Sequence, residues 1–416
     1  MAGKKEEKSF EELYQALLQR KLSLEEPLPD KYDPKHLDCL LHPERYAPVI
    51  PVSQCRQCGQ GEACRRNCIF EAIRRKENGE LWIDPELCTG CEACVEACRD
   101  KKLTGNKDVL AAMKAVRESK RPAYMLVAPA FLGQFQEGVT PGKLRSAFKA
   151  LGFAGMVEVA LFADILTLKE ALEFDRHIEK TGDFQLTSCC CPVWIAMIRK
   201  SYHELMPHVP GAVSPMIACG RIIKRLYPGA LTVFAGPCLA KKQEAREPDI
   251  CDAVDYVLTF QEIKDLFEAV KIRPEEQEED PKEHASKAGR LYARSGGVSR
   301  AVEEMVRQLK PDRGVQVRAE RADGTKACME MIKRIKEGKT KANFFEGMGC
   351  IGGCVGGPKA ILDKEKGKKM VDDYGENSAF QTPLENPYVK EILKRLGFET
   401  VEELLEEEGL LTRSFV

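Results

Sequence analysis

The sequence has no run of apolar residues long enough to cross a bilayer. Its first residues, MAGKKEEKSF, contain neither the apolar core of a secretory signal nor a twin arginine. A cytoplasmic protein that does not enter a membrane is therefore expected. Net charge is also missing: 64 Lys and Arg against 65 Asp and Glu leave −1. That balance argues against a nucleic-acid surface and against an acidic interaction tail. No long-range repeat is present beyond two runs of cysteine. Cysteine itself is abundant, with 18 in 416 residues. A disulfide framework is the plain alternative, but it belongs to small secreted chains. Here the cysteines stand at ligand spacings in a chain with room for two or three domains, so metal or cluster ligation is expected.

Five segments are read along the chain. Residues 1–50 give a first helix, roughly 9–22, and then a proline-punctuated extended arm. Residues 51–105 form a compact cysteine block, and KDVLAAMKAVRESKRP is a linker helix within 106–122, ended by Pro122. From 123 to 360, strand and helix patterns alternate: YMLVAPAF, KLRSAFKALGF, GMVEVAL, DILTLKEALEFDRHIEKTG, then ALTVFAGPC and VDYVLTFQEIKDLFEAV. The alternation predicts α/β lobes. Residues 273–289 read as a solvated loop and KEKGKKMVDDYGENS as another. NPYVKEILKRLGF and TVEELLEEEGLL read as closing helices in 361–416.

Cys88, Cys91, Cys94 and Cys98 follow the C-x2-C-x2-C-x3-C spacing of a bacterial ferredoxin 4Fe-4S site. Cys55, Cys58, Cys64 and Cys68 repeat it with a longer middle spacer. In paired sites of this kind the fourth cysteine of each run crosses over. That assigns Cys55, Cys58, Cys64 and Cys98 to one cluster, and Cys88, Cys91, Cys94 and Cys68 to the other. Two zinc knuckles would suit single cysteine pairs better than paired four-cysteine runs. Ile69 and Arg99 replace the proline that usually follows the fourth cysteine, and Arg99 is placed to raise a cluster potential. Such a module moves electrons singly and does no chemistry alone.

Three further motifs lie downstream: TSCCCPVW (187–194), GPCLAKKQE (236–244) and EGMGCIGGCVGGP (346–358). Pro192 suits a first helical turn, which puts the triple cysteine at a helix N-terminus, where free amides favour thiolates. Cys238 follows a buried-type strand and opens a second helix, with Lys241 above it on the same face. Glycines around Cys350 and Cys354 permit close approach of backbone to a bulky cofactor. One ligand, one ligand and two ligands together make a further four-cysteine cluster.

These motifs, with VAPAF (127–131), VDYVLTFQEI, SGGV (295–298) and ENPYVKEIL, resemble the signatures of FeFe-hydrogenases from about residue 50 to the C-terminal helices. The resemblance implies a two-lobed α/β catalytic domain around a buried metal cluster, preceded by a small α+β ferredoxin-like domain. It implies that Cys191, Cys238, Cys350 and Cys354 hold a 4Fe-4S cubane, bridged through Cys354 to a diiron centre with carbon monoxide, cyanide and an azadithiolate. Lys241 would hydrogen-bond a cyanide, and Met348, Ala128 and Pro129 would line the pocket. The implied activity is reversible oxidation of H2 to protons and electrons, with a ferredoxin-like electron partner and maturation proteins to install the diiron centre.

By the same resemblance Cys190 passes protons between the cofactor and a relay of Glu170 and Glu173. Glu170, Glu173 and His177 share one face of a helix, a pattern that otherwise describes a solvated charged face. His177 stands where the family has an arginine, and Pro210 where it has a serine able to donate a proton. Glu244 reads as support for Lys241, and Gly236, in place of a methionine, as extra room near the diiron site. Cys189 is surplus to the family form. It either packs behind its loop or retunes that loop so that a thiol reaches the open iron under oxidation. Cys39, Cys219, Cys251 and Cys328 read as buried singletons, with a minor chance that Cys39 joins His36 and His42 as a ligand. His203, His208 and His284 lack ligand spacing. A slow sensory homologue and an iron–sulfur assembly factor lacking the diiron centre are the alternative functions.

Overall fold

The structure, a computed structural model, describes residues 8–20, 31–53, 55, 58, 62–187 and 190–415. Helix α1 (Phe10–Gln19) opens on a capping box: the Ser9 side chain accepts from Glu12 N–H, and the Glu12 carboxylate accepts from Ser9 N–H at 2.8 Å. The expected extended arm is corrected by α2 (Pro34–Leu41). Pro34 occupies its first turn and Asp33 accepts from Lys35 N–H, so this proline starts a helix.

In the cysteine block, β1 (Val49–Pro51) pairs antiparallel with β4 (Leu103–Gly105), and β2 (Ile73–Arg75) with β3 (Leu81–Ile83). Short helices α3 (Ala63–Arg66) and α4 (Ala93–Ala97) pack on each other. Val49, Ile73, Leu81 and Ile83 form a small core with Cys64, Cys88 and Cys94. The linker is α5 (Val109–Glu118).

Beyond it lies a four-stranded parallel sheet of β5 (Ala123–Val127), β6 (Gly155–Glu158), β8 (Leu231–Gly236) and β9 (Tyr256–Thr259), in the order β6-β5-β8-β9. Its connections carry α6 (Pro141–Ala150), α7 (Ala160–His177), α9 (Pro215–Leu226) and the short α10 (Ala240–Glu244), and β9 leads into α11 (Phe260–Val270). Met125, Leu126 and Val127 are fully buried in succession, as in a parallel strand covered on both faces. A second parallel sheet, in the order β10-β11-β7, joins β7 (Gln185–Leu186), β10 (Ala319–Asp323) and β11 (Phe344–Met348). None of its three strands is among the sequence expectations. α8 (Pro192–Ser201) follows β7. α12 (Lys287–Arg290), α13 (Gly297–Leu309) and α14 (Thr325–Lys336) complete this half.

Residues 273–289 are no free loop. The Asp164 carboxylate, fully buried on α7, accepts from Ser286 N–H (2.7 Å), Ser286 Oγ (2.5 Å), Gly289 N–H (2.9 Å) and Asn386 Nδ2 (3.0 Å). Lys149 pairs with Asp280 at 2.7 Å. The charges of this stretch thus clasp it to α6 and α7. The second expected loop is also corrected: α15 (Lys364–Glu376) is a helix capped by Asp363. Of the two closing helices, α16 (Pro387–Leu396) forms, whereas the second is only a 3₁₀ turn, Glu402–Leu405. Among the described residues no helix is long and apolar enough to cross a membrane.

Candidate functional site

Burial pushes the Cys64 thiol up, and the thiols of Cys98, Cys55 and Cys58 push it further. Those four cysteines line one cavity together with Arg99. Burial likewise takes Cys88 to about 11, with Cys91 and Cys68 adding to the rise, and Cys94 is raised by burial, then by Cys88, Cys91 and Cys68, and least by Cys64 of the first run. Cys98 therefore stands with the first run and Cys68 with the second, the grouping that a crossed pair of clusters requires. Two of the sulfurs accept backbone amides, Cys68 from Ala72 N–H and Cys98 from Lys102 N–H, each at 3.3 Å. Amides aimed at sulfur favour thiolate and fit iron–sulfur ligation.

The second set of cysteines stands at the carboxyl ends of the parallel strands, where α/β sheets place their ligands. Cys190 and Cys191 follow β7, Cys238 follows β8, and Cys350 and Cys354 follow β11. Cys191 caps α8, and its Sγ accepts from Gly349 N–H at 3.2 Å. Burial pushes its thiol up, and the amides of Gly349, Trp194 and Val193 pull it back, as a helix N-terminus does. Burial takes Cys238 to about 12. Cys354 is raised first by burial and then by Cys190, Cys191 and Cys238, and Lys241 opposes the rise. Cys350 is raised by burial and then by Cys238, Cys191 and Cys354. Cys354 thus lies within electrostatic reach of the other four thiols and of Lys241.

Neighbouring side chains diverge at the triple cysteine. Cys190 packs against the main core, and Cys191 against α8, α14 and the cysteine block. The Trp194 indole N–H donates to Thr187 C=O at 3.0 Å and closes the loop between them. Cys189 lies outside the described residues. Around this set, Met348 and Ala128 are buried and Pro129 is half-buried. Lys241 is buried and pairs with Glu244 at 2.7 Å, and the interactions with Glu244, Cys238 and Cys354 offset its burial and leave its ammonium favoured. The room expected at Gly236 is not there: a Cβ on Gly236 would stand 2.5 Å from the Phe234 ring, which fills that space from two residues away on the same strand face.

The helix face expected to carry the relay is no solvated face. Glu170 is 0% and Glu173 6% exposed, whereas His177 is exposed at the end of α7. Pro210 is buried. Burial raises Glu173 to about 7, with Lys169 pulling the other way. Among the singletons, Cys219 and Cys328 are buried and Cys251 is exposed, which corrects its reading as buried. Cys39 is buried and donates to Asn106 Oδ1 at 3.2 Å, which uses its thiol structurally. His208 stacks on Phe184 with ring centroids 3.8 Å apart.

The two cysteine systems meet through residues the sequence did not single out. Leu239, next to Cys238, belongs to the apolar core of the cysteine block. Phe70, Val193, Ala196 and Ala240 form a bridge with Cys68, Cys91, Cys191 and Cys238 packed against it. At one close approach a Cβ on Gly90 (φ +75°) would lie 2.9 Å from the Leu239 carbonyl carbon and 3.0 Å from Ala240 N. Gly90→Ala is therefore expected to cost about 1–3 kcal/mol through overpacking and left-handed strain, read as a lowered midpoint in chemical unfolding. A cleft of about 1220 Å³ opens beside this contact, lined by Arg66, Arg99, Lys326, Cys91, Cys350 and Ile351 among others.

Comparison with known proteins places this geometry. The family model described as iron only hydrogenase large subunit, C-terminal domain, matches residues 121–358, and a 4Fe-4S binding domain matches residues 81–100. The chain is 28% identical to iron hydrogenase 1 of Clostridium pasteurianum, over 52% of this chain and 45% of that protein, so it spans about half the length of that relative. It is 25% identical to cytosolic iron-sulfur assembly component 3 of Pongo abelii, over 68% of this chain and 72% of that one. The solved [FeFe]-hydrogenase HydA1 of Chlamydomonas reinhardtii superposes with a TM-score of 0.60 at 21% identity, covering 74% of this chain and 99% of the other. That likeness establishes the fold.

Proposed function

The chain belongs to the iron-only hydrogenase family, and we propose that it is an FeFe-hydrogenase interconverting H2 with protons and electrons. The single observation that carries this reading is the convergence of Cys190, Cys191, Cys238, Cys350, Cys354 and Lys241 from three separate turns. Cys191, Cys238, Cys350 and Cys354 would hold a cubane, and Cys354 and Lys241 would help to hold a diiron centre. When bound, that centre supplies the Lewis acid and the base that splitting H2 requires.

The chain's own residues supply the rest. The Lys241 ammonium, oriented by Glu244, donates toward the anionic ligands of the cofactor. Met348, Ala128 and Phe234 wall the pocket against water. The Cys190 thiol moves a proton between the pocket and Glu170, and Glu173 carries it outward. The cysteine block would hold two clusters that supply single-electron transfer to a ferredoxin-like carrier, and Phe70, Val193 and Ala240 pack between that block and the second cysteine set. The reaction is placed in the cytoplasm, with maturation proteins installing the diiron centre.

The assembly-factor alternative rests on the 25% identity to an assembly component. A thiol at 190 close enough to act on Cys354 and a buried cation at 241 favour the enzyme reading. The discriminating experiment loads the protein with iron–sulfur clusters, adds a synthetic diiron precursor and records the infrared spectrum. Carbonyl and cyanide bands held by the protein are expected. Their absence in cluster-loaded protein would remove the hydrogenase reading and leave the assembly factor.

A further inference from the structure

Lys169 on α7 is an ammonium in an expensive place. Its side chain is 2% exposed, and taking an ammonium out of water costs several kcal/mol unless it is paired. Its Nζ donates to Leu404 C=O at 2.6 Å and lies 3.5 Å from Glu173 Oε1, one helical turn on. Glu170, the inner carboxylate of the relay, is its immediate neighbour in sequence. A buried cation beside two buried carboxylates, fixed from outside by the 402–405 turn, exceeds what packing of α7 needs, since the rest of Ala160–Phe174 is largely apolar.

We propose that Lys169 is a positioning residue of the proton route: held by the Leu404 carbonyl, its ammonium keeps Glu173 oriented and ionised, ready to take a proton from Glu170 and release it to solvent. This rests on the hydrogenase reading for the meaning of the route, but not for its electrostatics. Lys169 keeps its own protons throughout. One proton enters the Glu173 carboxylate and the same proton leaves it.

The surroundings of Glu173 leave this role to Lys169. Burial raises the carboxyl and Glu170 adds to the rise, while Lys169 and, more weakly, Arg176 oppose it. Several charges on the elements packed against α7 have partners of their own, and Arg313 pairs with Asp175 at the end of α7. Arg221 and Lys224 of α9 pair with Asp252 and Asp255, and Lys287 and Arg290 of α12 with Glu376 and Glu283. Arg307 of α13 pairs with Glu304, Arg395 of α16 lies over the Tyr227 ring, and Glu406, just past the 402–405 turn, pairs with Arg176.

The sign follows. Glu173 stands at about 7 with the ammonium in place. An opposite charge at this range lowers a carboxyl by about 1–3 units, so Lys169→Met should raise Glu173 by that amount. The step that needs ionised Glu173 then begins only at higher pH. The test follows the carboxyl stretch of Glu173 by infrared difference titration of full-length protein carrying only its iron–sulfur clusters, with Glu173→Gln assigning the band. Lys169→Arg keeps the charge and should titrate as wild type. An upward shift in Lys169→Met, restored in Lys169→Arg, supports the proposal, and an unmoved titration in soluble, cluster-loaded Lys169→Met overturns it. Should Lys169→Met fail to fold, Lys169→Gln is titrated in its place under the same criterion. In matured protein, the acid limb of the H2-oxidation pH profile should move upward by the same amount. A shifted carboxyl with an unmoved profile overturns the route through Glu173, a failure of the functional reading that the titration alone does not share.

Discussion

Cys190→Ala is expected to lower H2 oxidation and H2 evolution by matured protein by about 10²- to 10⁴-fold, the range that a positioned proton donor contributes. Iron content and the carbonyl and cyanide infrared bands should match wild type. The separation of the two effects comes from the loop. Cys191, adjacent in sequence, caps α8 and accepts from Gly349 N–H, whereas Cys190 faces the main core and influences Cys354 across the pocket. On the proposed route, removing Cys190 would take away a proton carrier and leave the ligand turn in place, so activity and cofactor content should part. A variant that loses cofactor and activity together would place Cys190 among the ligands instead.

Cys354→Ala should have the opposite signature. Burial and three neighbouring thiols act on Cys354 at once, and Lys241 faces it, which puts it at the centre of the five-cysteine set. On the proposed assignment, the site would then lack one of the four cysteines that hold the cubane. The expected result is complete loss of the carbonyl and cyanide bands and of turnover, with the two clusters of the cysteine block retained. Those clusters would draw on Cys55, Cys58, Cys64, Cys98, Cys88, Cys91, Cys94 and Cys68, which lie together in the cysteine block. Paramagnetic resonance of the reduced variant, compared with wild type, reads this directly. Loss of the ferredoxin-type signals as well would show that the variant has unfolded.

What the sequence made legible was what repeats at fixed spacing. The cysteine runs, the strand-like stretches of β5, β6, β8 and β9, and the helices between them carry periodic signals, and the structure has them in one parallel sheet. What escaped lacks that signal. β10 reads AERAD, a charged sheet edge, and β7 is two residues long and sits on β11 only through tertiary pairing. α15 was masked by its glycines, which read as loop. Gly375 instead lets the helix approach Leu291, where an added Cβ would stand 3.1 Å from its side chain. α2 was masked by Pro34, whose place in a first turn depends on the cap from Asp33.

The site divides in the same way. Ligand cysteines are marked by type and spacing, whereas the surroundings that tune them are not. Phe234 fills the space beside Gly236 because strand residues two apart share a face, and that side chain's size had no partner to be weighed against in the sequence. Glu170, Glu173 and His177 fit the pattern of a solvent face because charge usually is one. α7 is the central helix of its half, covered by α9, α12, α13, α16 and the 402–405 turn, so its charges are inside. Burial of charge is a tertiary property, and in this chain it marks the route the protons are proposed to take.

The most direct measurement is an assay of H2 uptake and H2 evolution on protein loaded with iron–sulfur clusters and matured with the diiron precursor. Turnover in both directions, lost in Cys354→Ala and lowered by about 10²-fold or more in Cys190→Ala, is the predicted result. Matured protein that shows the carbonyl and cyanide bands yet turns over H2 in neither direction would contradict the enzyme assignment.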